Sequence, residues 1–106
     1  MDPVAFAALA EPSRLKIVEL LRETPCSVGT ISGRLDLRQP QVSKHLKILS
    51  QAGWVAARKR TTVQIYELRP ERFDDLAQWV EEFRALWEVN FRRLDDLLAR
   101  TEEEKP

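Results

Sequence analysis

Between Glu71 and about Arg100 the chain runs some thirty residues without a proline or a glycine. No other feature limits the fold as strongly. At a rise of 1.5 Å per residue, such a stretch predicts a helix about 45 Å long, more than a small domain can cover by itself. Phe73, Leu76, Val80, Phe83, Trp87, Leu94 and Leu97 recur at steps of three and four, with Asn90 completing the series. These are the a and d positions of a heptad with one polar member. Ala77, Trp79, Leu86, Phe91 and Leu98 widen the stripe. Part of it is expected to cover the preceding domain together with Val4–Ala10, and the rest to pair with the same helix of a second chain. The expected homodimer interface comprises Val4, Phe6, Phe73, Leu76, Val80, Phe83, Trp87, Asn90, Leu94 and Leu97. Asn90 either sets the register, as one polar residue does in coiled coils, or lies at the wet edge of the seam. Thr101–Pro106 is an acidic tail expected to fray.

The preceding sequence alternates short apolar helices with breaks. Val4–Ala10 predicts a helix ended by Glu11-Pro12, since a residue before proline is driven out of the helical region. Pro12 suits the first turn of a second helix, with Leu15, Ile17, Val18, Leu20 and Leu21 as its apolar face and an end near Glu23. Ser27 can cap a third, with Val28, Ile31 and Leu35 inward. After the three-residue turn Asp36-Leu37-Arg38, Pro40 opens a fourth with Val42, Leu46 and Leu49 inward. Gln39, Gln41, Ser43, Lys44 and Lys47 point outward, and Gly53 closes the helix. Two β-prone runs, Trp54–Arg58 and Val63–Leu68, flank the tip Lys59-Arg60-Thr61-Thr62. The tip has no Gly, Asn or Asp, so a longer loop is expected rather than a tight turn with positive φ. The fold class is mainly α with a small β-hairpin.

At 106 residues one domain is expected. A single cysteine excludes an internal disulfide framework and fits a reducing cytosol. No apolar run is long enough to cross a membrane, and the first residues lack a signal layout. A cytoplasmic protein without membrane contact is the expectation. The 17 basic and 17 acidic residues cancel, which on its face argues against a nucleic-acid partner. The cancellation is between halves. Residues 1–69 hold 11 basic and six acidic side chains, net +5, and residues 70–106 hold six and 11, net −5. Within Arg34–Arg60, seven basic residues stand against Asp36 alone. Such asymmetry points to a polyanion-binding half joined to a half with another task.

Two short helices on a three-residue turn, the second polar outside and apolar inside, fit a helix-turn-helix whose second helix enters a DNA major groove. Gln39 and Gln41 can bond adenine, Ser43 several base edges, and Lys44 guanine or phosphate. Lys47, Arg38, Arg58, Lys59 and Arg60 suit phosphates, with the hairpin as a wing and Thr61 and Thr62 adding hydroxyl contacts. The expected division is residues 1–69 for DNA, with 1–10 also at the dimer interface, and 70–106 for dimerisation.

The segments Ala7-Ala8-Leu9-Ala10-Glu11-Pro12-Ser13-Arg14, Gln39-Pro40-Gln41-Val42-Ser43-Lys44-His45-Leu46-Lys47-Ile48-Leu49 and Ala52-Gly53-Trp54-Val55 together resemble the ArsR-type winged-helix repressors. The resemblance extends in consistent order over Val4–Leu68, and the long final helix with Trp79, Phe83 and Trp87 resembles a metal-independent branch. It implies a winged helix-turn-helix with a C-terminal dimerisation helix, repressing from an inverted-repeat operator in double-stranded DNA. Four positions depart from the family pattern. Glu11 stands for Asp at a helix cap, Arg38 for Ser before the recognition helix and Trp54 for Leu at the wing base, and the wing glycine is missing.

Aligned through the recognition helix, the family's Cys-x-Cys metal pair falls on Ser27 and Gly29, with Cys26 alone and one residue early. One Cys and one His cannot build a tight transition-metal site within a protomer, so no metal and no cofactor are expected. His45 is read as a half-buried packing residue and Cys26 as a small structural one. No phosphate loop, metalloprotease motif or nucleophile elbow appears, so no enzyme is expected. Two other readings stay open: a winged helix used for protein interaction, and a repressor whose aromatic core, at Trp79, Phe83 and Trp87, takes a small hydrophobic effector.

Overall fold

The structure, a computed structural model, describes residues 1–103. Glu104–Pro106, part of the expected fraying tail, lie outside the described residues. The elements in order are α1 (Pro3–Leu9), α2 (Pro12–Glu23), α3 (Val28–Leu35), α4 (Gln39–Gln51), β1 (Val55–Arg60), β2 (Val63–Leu68) and α5 (Pro70–Glu103). Met1–Asp74 forms one compact unit and the helix from Asp75 onward forms another.

Each helix of the first unit begins where a side chain supplies an acceptor or a proline relieves the need for one. Asp2 accepts from the Val4 amide at 2.9 Å, Glu11 from Arg14 at 2.9 Å and Ser27 from Thr30 at 3.1 Å. Glu11 therefore caps α2 despite its extra methylene. Arg38 offers no acceptor, and its own amide donates to Gln41 Oε1 at 3.4 Å instead. Helix α4 ends in a Schellman motif: Gly53 N–H donates to Ser50 and Trp54 N–H to Leu49. Gly53 takes φ +86° there, and a Cβ at this position would stand 3.0 Å from Arg72 Nε. That turn is closed to other residues without strain.

The core joins α1, α2, α3, α4 and the root of the hairpin. Ile17, Ile31, Val42, Leu46, Leu49 and Trp54 are fully buried. Trp54 donates its indole N–H to the Ala5 carbonyl at 2.7 Å and meets Phe73 edge to face at 4.9 Å. Leu15 departs from expectation and is exposed. At 100° per residue it falls on the far side of α2 from the Ile17, Val18, Leu20 and Leu21 arc.

The hairpin also differs from its expected form. The strands pair from Val55↔Leu68 to Arg60↔Val63, so Lys59 and Arg60 belong to β1 and the tip shrinks to Thr61-Thr62. Thr61 adopts φ 60°, which sequence chemistry disfavours for a β-branched residue. Closing the last ladder pair outweighs that local strain. On its other side β2 is joined by Cys26, whose N–H and C=O both bond Tyr66.

In the second unit, α5 continues through Thr101–Glu103, where fraying is expected from sequence. The Thr101 hydroxyl bonds the Leu97 carbonyl at 2.9 Å and holds that turn. Val80, Phe83, Leu86, Trp87, Phe91, Leu94, Leu97 and Leu98 are all exposed on this chain. Trp79 packs against Phe83, and Trp87 against Phe91, with ring centres 4.7 and 5.9 Å apart.

Candidate nucleic-acid interface

Burial of Val42, Leu46 and Leu49 fixes the roll of α4, and hence what it shows to solvent. Gln39, Gln41, Ser43, Lys44 and Lys47 are all exposed, as expected. Pro40, Lys44 and Lys47 form one row along the outer face, with Ser43 on one flank and Gln41 on the other. Gln39, at the first helical position, lies closer to the buried side. The Gln41 side chain is partly committed: its carbonyl oxygen accepts from the Arg38 amide, which leaves its N–H₂ facing out. Arg38 is exposed at the head of the helix.

The turn before α4 is held from behind. Asp36 takes φ 53°, Leu37 N–H bonds the Ser32 carbonyl at 3.1 Å, and the Ser32 hydroxyl donates to the Leu37 carbonyl. This fixes the angle at which α4 leaves α3.

In the wing, side chains alternate between faces, so Arg58 and Arg60 share one face and Lys59 takes the other. Arg58 is paired diagonally with Glu67 at 3.1 Å. Among the described residues Lys44, Lys47, Lys59 and Arg60 carry no ion pair, so the field of the surface falls mainly to them. Thr61 and Thr62 are exposed at the tip. In the sequence Arg58, Lys59 and Arg60 stand as one cluster. Nothing in that run points to Glu67, whose place opposite Ala56 becomes legible only once the register is known.

Of the expected interface residues, Val4, Val80, Phe83, Trp87, Asn90, Leu94 and Leu97 are exposed, and Phe6 and Leu76 are half-buried. Phe73 spends one ring edge inside its own chain, against Trp54.

His45 is half-buried, with Nδ1 3.7 Å from Glu11 Oε2 and 3.4 Å from Arg14 Nη1. The Arg14 amide, the Ser13 amide and the neighbouring His45 and Arg14 side chains hold the Glu11 carboxyl below its ordinary range, with the Arg14 amide hydrogen bond foremost and burial opposing. Cys26 is buried, and loss of solvent pushes its thiol up rather than activating it. Among the described residues no group of three or more His, Cys, Asp or Glu is placed to hold a metal ion. Among the described residues no helix is long and apolar enough to cross a membrane.

A helix pair on a fixed turn, a polar outer face on its second member and a paired hairpin beside it define a winged helix-turn-helix regulator. Comparison with known proteins makes the class specific. Residues 11–57 match the bacterial regulatory proteins of the arsR family. The chain is 41% identical over 66 residues to the HTH-type transcriptional regulator Rv2034 of Mycobacterium tuberculosis, covering 62% of each. It is 30% identical over 78 residues to the transcriptional repressor SdpR of Bacillus subtilis, covering 74% of this chain and 87% of that one. The homodimeric winged helix-turn-helix DNA-binding domain of Mb0332 from Mycobacterium bovis superposes with TM-score 0.63 and 29% identity, over 74% of this chain and 76% of that one. The chain belongs to the arsR family of DNA-binding transcriptional regulators.

Proposed function

We propose that the chain acts in the cytoplasm as a homodimeric repressor, without enzymatic activity, that binds an inverted-repeat operator. The observation that carries this reading is the outer face of α4. It presents amide, hydroxyl and ammonium groups beside a wing with unpaired cations, and no acidic side chain intervenes along α4. Lys44, Ser43, Gln41 and Gln39 read base edges, Gln41 chiefly as a donor. Lys47, Arg38, Lys59, Arg60 and, once freed from Glu67, Arg58 hold phosphates, with Thr61 and Thr62 beside them.

Residues 1–69 carry this surface and residues 70–106 the dimer contact. The exposed stripe of α5 supports dimerisation, because an apolar surface of that extent is covered in a stable soluble protein. Two recognition helices about a two-fold axis read half-sites about 34 to 36 Å apart. Repression follows the activity in the name of the SdpR relative.

Selection of bound duplexes from a random pool tests the reading. An enriched inverted repeat, with log affinity falling against log salt at about −0.9 per phosphate neutralised, is the expected result. A pool without enrichment, or binding indifferent to salt, overturns it and returns the winged helix to a protein-interaction role.

A further inference from the structure

One imidazole ties the recognition helix to the corner between α1 and α2. His45 Nδ1 stands 3.4 Å from Arg14 Nη1 and 3.7 Å from Glu11 Oε2, with the side chain only 20% exposed. The two partners make opposite demands on the same nitrogen. Arg14 can only donate, so it needs the Nδ1 lone pair. The Glu11 carboxylate can only accept, so it needs an Nδ1 proton. Arg14 in turn donates through Nε to the Ala8 carbonyl at 2.6 Å, in the last turn of α1. A neutral ring with its proton on Nε2 thus joins α4 to α2 and, through one guanidinium, to α1. A protonated ring repels Arg14 and keeps only its charge attraction to Glu11, the cap of α2.

Helices α1, α2 and α3 and strand β1 all pack on α4. Among the described residues the charged side chains within bonding reach of the ring are Glu11 and Arg14. α1 contributes only the Ala8 carbonyl behind Arg14, and Lys44, next along α4, is exposed. We propose that His45 is a positioning residue for the recognition helix: neutral, it fastens α4 to the α1–α2 corner through Arg14; protonated by solvent, it turns to Glu11, releases Arg14, and duplex affinity falls. The inference rests on the DNA-binding reading above only for its last step.

Two measurements test it separately. In the free protein, nuclear magnetic resonance spectra from pH 8 to 5.5 should show the Arg14 Nε–H and the α4 amides around His45 shifting in step with the ring. In His45→Asn, which keeps polar atoms near Nδ1 but does not titrate, those shifts should vanish; His45→Gln serves if the asparagine variant does not fold. In Glu11→Gln the movement should shrink, because the protonated ring has no carboxylate to turn to. Unchanged shifts in the histidine variants, or none in the wild type, overturn the proposal. On the selected duplex at fixed salt, affinity should be about fivefold weaker at pH 5.5 than at pH 8, the scale of one ordinary hydrogen bond, and flat in His45→Asn. A cation merely added near DNA would tighten binding in acid, so tighter binding there overturns the proposed direction. If no duplex binds at either pH, the DNA-binding reading fails while the spectra still decide the role of His45.

Discussion

The indole N–H of Trp54, at the root of the wing, donates to the backbone carbonyl of Ala5, 49 positions earlier in the chain. The bond is buried and joins the first helix to the start of the hairpin. Trp54→Phe removes the donor and leaves a buried carbonyl unpartnered, so a loss of about 1–3 kcal/mol is expected. Trp54→Ala also opens a cavity beside Phe73 and should cost about 3–5 kcal/mol. Urea denaturation followed by far-ultraviolet circular dichroism measures both. Equal losses for the two variants would show that the hydrogen bond, not the ring, dominates.

Thr61 occupies a left-handed conformation at the wing tip. Thr61→Gly relieves a strain of about 1–2 kcal/mol at some cost in unfolded-chain entropy. The hairpin should gain up to about 1 kcal/mol, seen as slower amide exchange at Arg60 and Val63. Faster exchange there would contradict the geometry.

Stability should depend on acid through Glu11. Its carboxyl lies below its ordinary value of 4.5 in the folded chain, so the folded state binds the proton more weakly than the unfolded state. The contribution is present above the unfolded value and is lost as pH falls through the folded one. Glu11→Ala should therefore cost about 1 kcal/mol at pH 7, the scale of a lost helix cap, and much less near pH 2. A pH-independent difference between the two proteins would exclude the ionised cap.

In the wing, Glu67 holds the Arg58 guanidinium, and under the proposed DNA-binding reading a phosphate would compete for it. Glu67→Gln should raise affinity for all duplexes alike, by about twofold to fivefold, since an exposed pair is worth up to about 1 kcal/mol. Arg60→Ala should lower it and reduce the salt slope by about one contact. Fluorescence anisotropy over a salt series reads both effects.

Along α5, Trp87→Glu and Leu94→Glu place charge in the exposed apolar stripe. Both variants should sediment as monomers at micromolar concentration while the helices of residues 1–74 stay folded. Asn90→Leu should strengthen self-association if the residue sits in the seam, and leave it unchanged at a wet edge. Analytical ultracentrifugation distinguishes the outcomes.

Periodicity was enough for the helices, because Val42, Leu46 and Leu49 recur on one face and proline or a capping oxygen marks each start. The same pattern defines the outer face of α4. Leu15 shows where composition misleads: an apolar residue inside an apolar run can still fall on the wrong side of a helix. The wing was harder. Lys59, Arg60 and Thr61 carry no turn signature, and only pairing across the hairpin places two of them in the ladder and forces the third into positive φ. The contacts of His45 were equally hidden, since Glu11 and Arg14 reach it from another helix and no spacing rule connects them.

Cys26 lends its backbone, not its thiol, to the wing. Its two bonds to Tyr66 clamp β2 from the side opposite β1, and the Trp54 carbonyl receives Arg69 N–H at the root. The hairpin is therefore a cantilever, built in at one end and free at Thr61-Thr62. Six residues of ladder give it a reach of about 20 Å. Any load taken at the tip arrives at the α2–α3 loop as a bending moment, borne by the two Cys26–Tyr66 bonds on the far side of the strand.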